Sequence, residues 1–320
     1  MIIAEELTGP VEPLRIGVLG AARISELSIV DPAAVTGTRL VAVAARSRQR
    51  AEAFAETHGI ERVHASYADV IADPEVEAVY NPLANSLHAP WNKAAILAGK
   101  HVLTEKPFAS NGIEAAEVRD LVRGRPLVLF EGFHYLYHPL TKRLMSLLAD
   151  GELGTLQHVE STMFMSAPPA EDPRWSLALA GGALMDLGCY ALHAQRVLRD
   201  FAGGEPRLVG AAGGEQAGAP GVDAWAEAHL EFRSGATGLP GAAWSVRAGT
   251  CRCGWSDRTA KRSSPTSSTR STTTGSSSVP APWCGRSTAA TRPPTPTSSE
   301  PSSAPSGGGR RTAPMPTTRS

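Results

Sequence analysis

Between residues 14 and 130, short apolar runs alternate with longer stretches that are apolar on one face only, and this alternation restricts the fold more than any other feature of the chain. The runs are 14–19, 39–45, 78–81, a pair at Val102 and Leu103, and 126–130. They are too short for helices and read as strands buried on both faces. Segments 21–30, 46–58, 67–71, 85–99 and 113–123 read as helices. In 46–58, Ala51, Phe54 and Ala55 share a face, and 85–99 closes on a glycine. Strictly alternating strands and helices build a doubly wound parallel sheet, an α/β domain.

After residue 130 the pattern changes. A bridging stretch and helix end at Gly151, segment 155–165 alternates polar and apolar residues, and strand-like runs follow at 207–212, 224–232 and 235–246 around a helix over 183–201. This predicts a second α/β domain over 132–250, with an open, mostly antiparallel sheet whose uncovered face needs a partner. The first domain then spans 14–131, after an extension of thirteen residues.

From residue 251 the composition shifts to Ser, Thr, Pro, Gly and Arg, without Leu, Ile, Phe or Tyr. Such a segment buries too little apolar surface to offset chain entropy, so 251–320 is expected to be disordered. Two explanations stand, a natural extension or a reading-frame shift near Gly249, and the second would leave the sheet truncated and the product inactive.

Overall, 42% hydrophobic and 19% charged residues suit a soluble globular protein. The formal net charge is zero, but residues 252–320 hold ten Lys and Arg against Asp257 and Glu300, so the body carries 21 basic and 29 acidic groups. That acidic body argues against a nucleic-acid partner. No run approaches eighteen apolar residues and the first thirteen are acidic, so neither a membrane span nor a signal peptide is expected and the location is read as cytoplasmic. The four cysteines form neither a disulfide framework nor a zinc spacing, and no metal is expected.

Two stretches carry chemistry. In LRIGVLGAARIS (14–25), strand, glycine turn and helix form a dinucleotide fingerprint: Gly20 makes the turn, Ala22 and Ser25 replace the later glycines, and Arg23 and Ile24 complete the loop. At the end of the second strand stand Arg46 and Ser47, where an NAD site has an acid and an NADP site a base, so NADP is favoured and NAD stays open. Pro82, Asn85 and His88 lie where the third strand meets its helix and face the same cleft, although His88 also reads as an ordinary helix-start histidine. In HVLTEKPF (101–108) a buried strand delivers Glu105 and Lys106 to the cleft mouth. On the later helix Asp186 and Tyr190 are four apart and share a face. If that face covers the cleft, Tyr190 and Lys106 converge on a substrate carbinol, the ammonium lowering the phenol pKa. His193 reads as structural.

With GGALMDLGCY (181–190), these motifs resemble the glucose-fructose oxidoreductase, inositol dehydrogenase and MocA family, over roughly residues 14–250. The wording NPLANSLHAPW (81–91) and EGFHYLYHP (131–139) is similar to its dihydrodiol and xylose dehydrogenase branch. The resemblance implies that Lys106 and Tyr190 are catalytic, that Asp186 helps hold the site, that the Lys106–Pro107 bond is cis, and that the second sheet forms a homodimer. The function implied is hydride transfer between NADP(H) and a sugar or cyclic diol; the alternative is a non-catalytic dinucleotide-binding sensor.

Overall fold

The computed structural model describes residues 12–245 and 250–256. The first sheet holds β1 (Arg15–Leu19), β2 (Arg39–Ala44), β3 (Arg62–Val63), β4 (Ala78–Asn81), β5 (His101–Thr104) and β6 (Leu129–Glu131), all parallel, in the order β3-β2-β1-β4-β5-β6. Because successive strand residues point to opposite faces, each strand feeds two cores. Leu19, Val41, Val79 and Val102 pack with Val70, Ile96 and Val118 on one side; Ile16, Val18, Leu40, Val43 and Tyr80 pack with Ile29 and Ala55 on the other. Gly17 permits this approach, since a Cβ there would lie 2.5 Å from Val70 Cγ1. The winding reverses between β1 and β4, and the crevice beyond their carboxyl ends is where such sheets bind ligands.

The covering helices are α1 (Asp31–Thr36), α2 (Arg48–His58), α3 (Tyr67–Ala72), α4 (Asn85–Leu97) and α5 (Gly112–Val122). Side-chain oxygens of Ser47, Ser66 and Asn111 accept from the first-turn N–H groups of α2, α3 and α5. The first helix departs from expectation, running through a wide π turn (Glu26–Val30) into α1 and ending at Thr36. The Asp31 N–H bonds the Glu26 carbonyl, five residues back, just before Pro32, which has no N–H to give. β6 also starts later than residue 126. Pro126 cannot donate to a ladder, and β5 pairing begins where Leu129 faces Val102.

A bridging helix α6 (Pro139–Ala149) leads to the second sheet, made of β7 (His158–Ser166), β8 (Arg207–Gln216), β9 (Ala219–Glu231), β10 (Thr237–Ser245) and β11 (Thr250–Ser256) in the order β11-β7-β10-β9-β8. Three pairings are antiparallel, but β7 and β10 run parallel, so the sheet is mixed. The helical crossover between them makes this possible. Within that connection, ahead of β8 and β9, a π turn (Leu184–Gly188) and α7 (Cys189–Val197) lie on one face of the sheet. There Gln195 Nε2 donates to the Val159 carbonyl and Ser161 Oγ, and Leu187 packs on Ala242.

Two sequence expectations are revised. The run Leu177–Phe201 is long and apolar enough to cross a membrane by length and composition alone, which the reading of no candidate span had missed. In the fold it buries Leu187, Ala191 and Gln195 against the second sheet. The structured chain also passes residue 251. β11 pairs antiparallel along β7 from Phe164 to His158, because a free sheet edge needs backbone groups and not large side chains. The disorder expected of the remaining tail concerns 257–320, which lie outside the described residues.

Candidate active site

β1 ends in a turn at Gly20, where a φ of +108° disfavours any side chain and the N–H bonds the Ala44 carbonyl at 2.7 Å. Beyond it Ala22 is half-buried and Arg23 and Ile24 are exposed, while Ser25 is fully buried with a hydroxyl that lacks a partner. Pro82 follows β4 and is buried. At the end of β2, Arg46 and Ser47 are exposed, and among the described residues no carboxylate pairs with Arg46. Arg50, which the sequence reading passed over, donates from Nη2 to the Ala21 carbonyl of the turn at 2.8 Å. Nothing in the sequence set it apart from the other exposed arginines of α2, which starts at Arg48.

β5 delivers Glu105 and Lys106 to the cleft, and the Lys106–Pro107 bond is cis. The Lys106 ammonium donates to Asp186 Oδ1 at 2.7 Å and to the Asp186 carbonyl at 2.8 Å, and it lies 5.1 Å from the Tyr190 ring centroid. Lys106 therefore meets Asp186, 80 residues further along the chain, and its neighbour Tyr190. The other oxygen of Asp186 accepts from Arg174 Nε at 2.8 Å, and Arg174 Nη1 contacts both carboxylate oxygens of Asp172 at 3.2 Å. Nothing in the sequence pattern marked Arg174, because it sits in the loop before the helix with no periodic partner.

Burial works against the Lys106 ammonium, but Asp186, Cys189 and Tyr190 outweigh it and hold the amine above its usual range. Burial likewise opposes the Asp186 carboxylate, yet Lys106 and Arg174 hold it below its usual range. For Tyr190 burial wins. Its phenol lies above the ordinary value, and Lys106 only partly offsets this, so the lowered phenol pKa expected from the neighbouring ammonium is not found. Burial also pushes the Cys189 thiol up to about 12, leaving it protonated and inert.

Buried side chains hold the turn that carries Lys106. Glu131 Oε1 accepts from the Phe108 N–H at 3.1 Å, Asn92 Nδ2 donates to the Phe108 carbonyl, and Tyr80 donates its hydroxyl to Glu105 Oε1 at 2.9 Å. His88 is corrected here. It is 1% exposed, with one ring nitrogen 2.6 Å from the Pro107 carbonyl and the other 2.8 Å from the Leu83 carbonyl, so it braces the turn and offers no open face to a cofactor. Asn85 is likewise engaged, donating to the Ala180 carbonyl at 2.8 Å and tying α4 to the loop before the π turn. His193 is structural as read: Phe133 stacks on it at 3.8 Å and Tyr135 meets its Nδ1 at 2.7 Å. Phe133 also packs edge-on against Tyr190.

The open glycine turn, the partnerless hydroxyl of Ser25 and the two arginines near the turn fit a dinucleotide lying across the crevice. Beside that crevice, a phenol over a paired ammonium can give a proton to, or take one from, a substrate oxygen.

Residues 14–133 match the model of an oxidoreductase family with an NAD-binding Rossmann fold, and 141–259 match the GFO/IDH/MocA C-terminal domain. D-xylose 1-dehydrogenase (NADP(+)) 2 of Haloferax volcanii is 39% identical over 222 residues, 69% of this chain and 66% of that protein. A dTDP-3,4-didehydro-2,6-dideoxy-alpha-D-glucose 3-reductase of Streptomyces violaceoruber is 38% identical, with 64% of this chain and 59% of that protein covered. In both cases the match spans less than two thirds of the relative. Among solved structures, a 3-ketoreductase from Actinomadura kijaniata in complex with NADP and TDP-benzene superposes with a TM-score of 0.69 at 31% identity, covering 76% of this chain and 74% of that one.

Proposed function

Because the chain belongs to the GFO/IDH/MocA oxidoreductase family, we propose that it transfers a hydride between NADP(H) and a carbinol or carbonyl carbon of a sugar or cyclic diol. The observation that carries this reading is Lys106, held by Asp186 under the Tyr190 ring at the mouth of the crevice. Relatives acting on xylose and on a dTDP-sugar support a sugar-like substrate, and the NADP in the names of the xylose dehydrogenase and the reductase complex supports the cofactor. When bound, the nicotinamide supplies or accepts the hydride.

The residues of the chain orient the partners and move the proton. Gly20 leaves room for the pyrophosphate, and Arg46 and Arg50 offer cations for a 2′-phosphate. Tyr190, protonated at neutral pH, gives its proton to the substrate oxygen during reduction. Lys106 steadies the phenolate left behind, and the same pair takes the proton back during oxidation.

The test is a fluorescence titration with NADPH and NADH, followed by turnover on a panel of aldoses, trans-diols and their oxidised forms. NADPH is expected to bind more tightly, Arg46→Asp is expected to abolish the preference, and at least one sugar or diol is expected to turn over. Equal affinities defeat the choice of cofactor; tight NADPH binding with no turnover defeats the enzyme.

A further inference from the structure

Asp186 is shared. One carboxylate oxygen holds the Lys106 ammonium at 2.7 Å and the other holds the Arg174 guanidinium at 2.8 Å, with side chains of Lys106 and Asp186 only 13% and 16% exposed. Arg174 is divided in turn, because its Nη1 also reaches Asp172. Lys106, Arg174, Asp172 and Asp186 thus form a chain of two cations and two anions with no net charge. Loop geometry fixes Arg174 in this place. Its carbonyl accepts the Gly182 N–H, and Asp172 caps the short helical turn Pro173–Trp175 by accepting the Arg174 N–H.

We propose that Arg174 is a positioning residue for the proton-transfer pair, which takes one oxygen of Asp186, leaves the other for Lys106, and so limits how tightly that carboxylate holds the lysine. The inference rests on the reading of Lys106 and Tyr190 as the proton-transfer pair. Physically, a carboxylate between two cations offers each a weaker field than it offers one alone; Lys106 and Asp186 are largely buried at 2.7 Å, whereas Arg174, with 41% of its side chain exposed, acts at 2.8 Å through partial solvent screening. Without the guanidinium the group carries a net negative charge, and both Lys106 and Tyr190 bind their protons more tightly. The other charged and titratable groups facing the pair stay unchanged: Glu105 and Glu131 from the first sheet, Cys189 on the same helix, His134 beside the Tyr190 ring, and Tyr80 under Glu105.

The test reads the proton on Lys106 without requiring turnover. The intact protein is acylated with a limiting amine reagent at fixed pH, and Lys106 and Lys93 are quantified by peptide mass spectrometry, Lys93 serving as the surface reference. Each unit of upward shift lowers the neutral amine fraction about tenfold, and loss of a cation at this range shifts a neighbour by about one unit. Arg174→Gln is expected to slow Lys106 acylation roughly tenfold relative to Lys93, and Arg174→Lys to restore the wild-type rate. Asp172→Asn, which frees Arg174 for Asp186, is expected to speed it, and this arm decides the matter if Arg174→Gln does not fold. Equal labelling in wild type and Arg174→Gln, or in wild type and Asp172→Asn when only that variant folds, overturns the proposal. In an active enzyme the alkaline limb of the pH–rate profile moves upward in Arg174→Gln with NADPH affinity unchanged; an unmoved limb overturns it as well. Wild-type protein that turns over no substrate defeats the proposed function, and the labelling still judges Arg174.

Discussion

A lysine in a buried site is useful for proton transfer only if its charge is maintained, and here Asp186 maintains it against burial. Under the proposed function, removing Tyr190 or Lys106 should therefore act on chemistry and not on binding. Tyr190→Phe and Lys106→Ala are each expected to lower turnover by about a hundredfold or more, with the NADPH dissociation constant within about threefold of wild type. Steady-state kinetics beside a fluorescence titration checks both. A second prediction concerns His193, whose pKa burial, with Arg196 and Arg199, pushes down to about 4. A histidine that is neutral when folded but protonates near pH 6.5 when unfolded loses stability as pH falls between those values. Urea melts at pH 7 and pH 4.5 should show a larger drop for wild type than for His193→Phe, which keeps the stack on Phe133; equal drops would remove His193 as the source. Lys106, Asp186 and Tyr190 were legible because each sits in a motif with fixed spacing. Arg174 and Arg50 were not, since one lies in an aperiodic loop and the other looks like any exposed helical arginine.

The strands of the first sheet were the most legible elements, because burial on both faces leaves a short uninterrupted apolar run. Helix ends were less so: the π turn before Pro32 extends a helix that local pattern alone would stop early. β11 was hidden for a related reason, since pairing at the edge of β7 uses backbone groups that composition does not report. The second sheet also exposes a consequence of its own layout. With α7 on one face, the opposite face carries a row in which Phe164, Ala243 and Trp225 are neighbours across β7, β10 and β9. Trp225 is 44% exposed there. We propose that a second copy of the chain covers this face, giving the homodimer that the sequence suggested. Light scattering is expected to report a dimer for wild type and a monomer for Trp225→Glu. A wild-type monomer, or a variant dimer of unchanged strength, would mean the face is used otherwise or not at all.

At the scale of the whole molecule, the Lys106–Asp186 ion pair also ties the two sheets together. Lys106 comes from the end of β5 and Asp186 from the π turn that packs on β10, and their ion pair is joined by the Asn85 bond to the Ala180 carbonyl. Cutting one side of a largely buried pair strands a charge, whereas replacing both sides does not. Asp186→Asn is therefore expected to cost about 3 kcal/mol in urea unfolding at pH 7, and the double variant Lys106→Met with Asp186→Leu less than that, because Arg174, half exposed, keeps Asp172 as its partner. The pH dependence follows from the directions of the two shifts. Asp186, lowered on folding, contributes stability above the unfolded carboxylate value of about 3.9 and loses it as pH falls through its lower folded value. Lys106, raised on folding, contributes below the unfolded value of about 10.4 and loses it only as pH rises through its higher folded value. The penalty of Asp186→Asn should thus stay level from roughly pH 5 to pH 9 and shrink below about pH 4. A penalty that falls between pH 7 and pH 5 would place its origin in a histidine. One that is absent at pH 7 would show that the sheets are held together by packing alone.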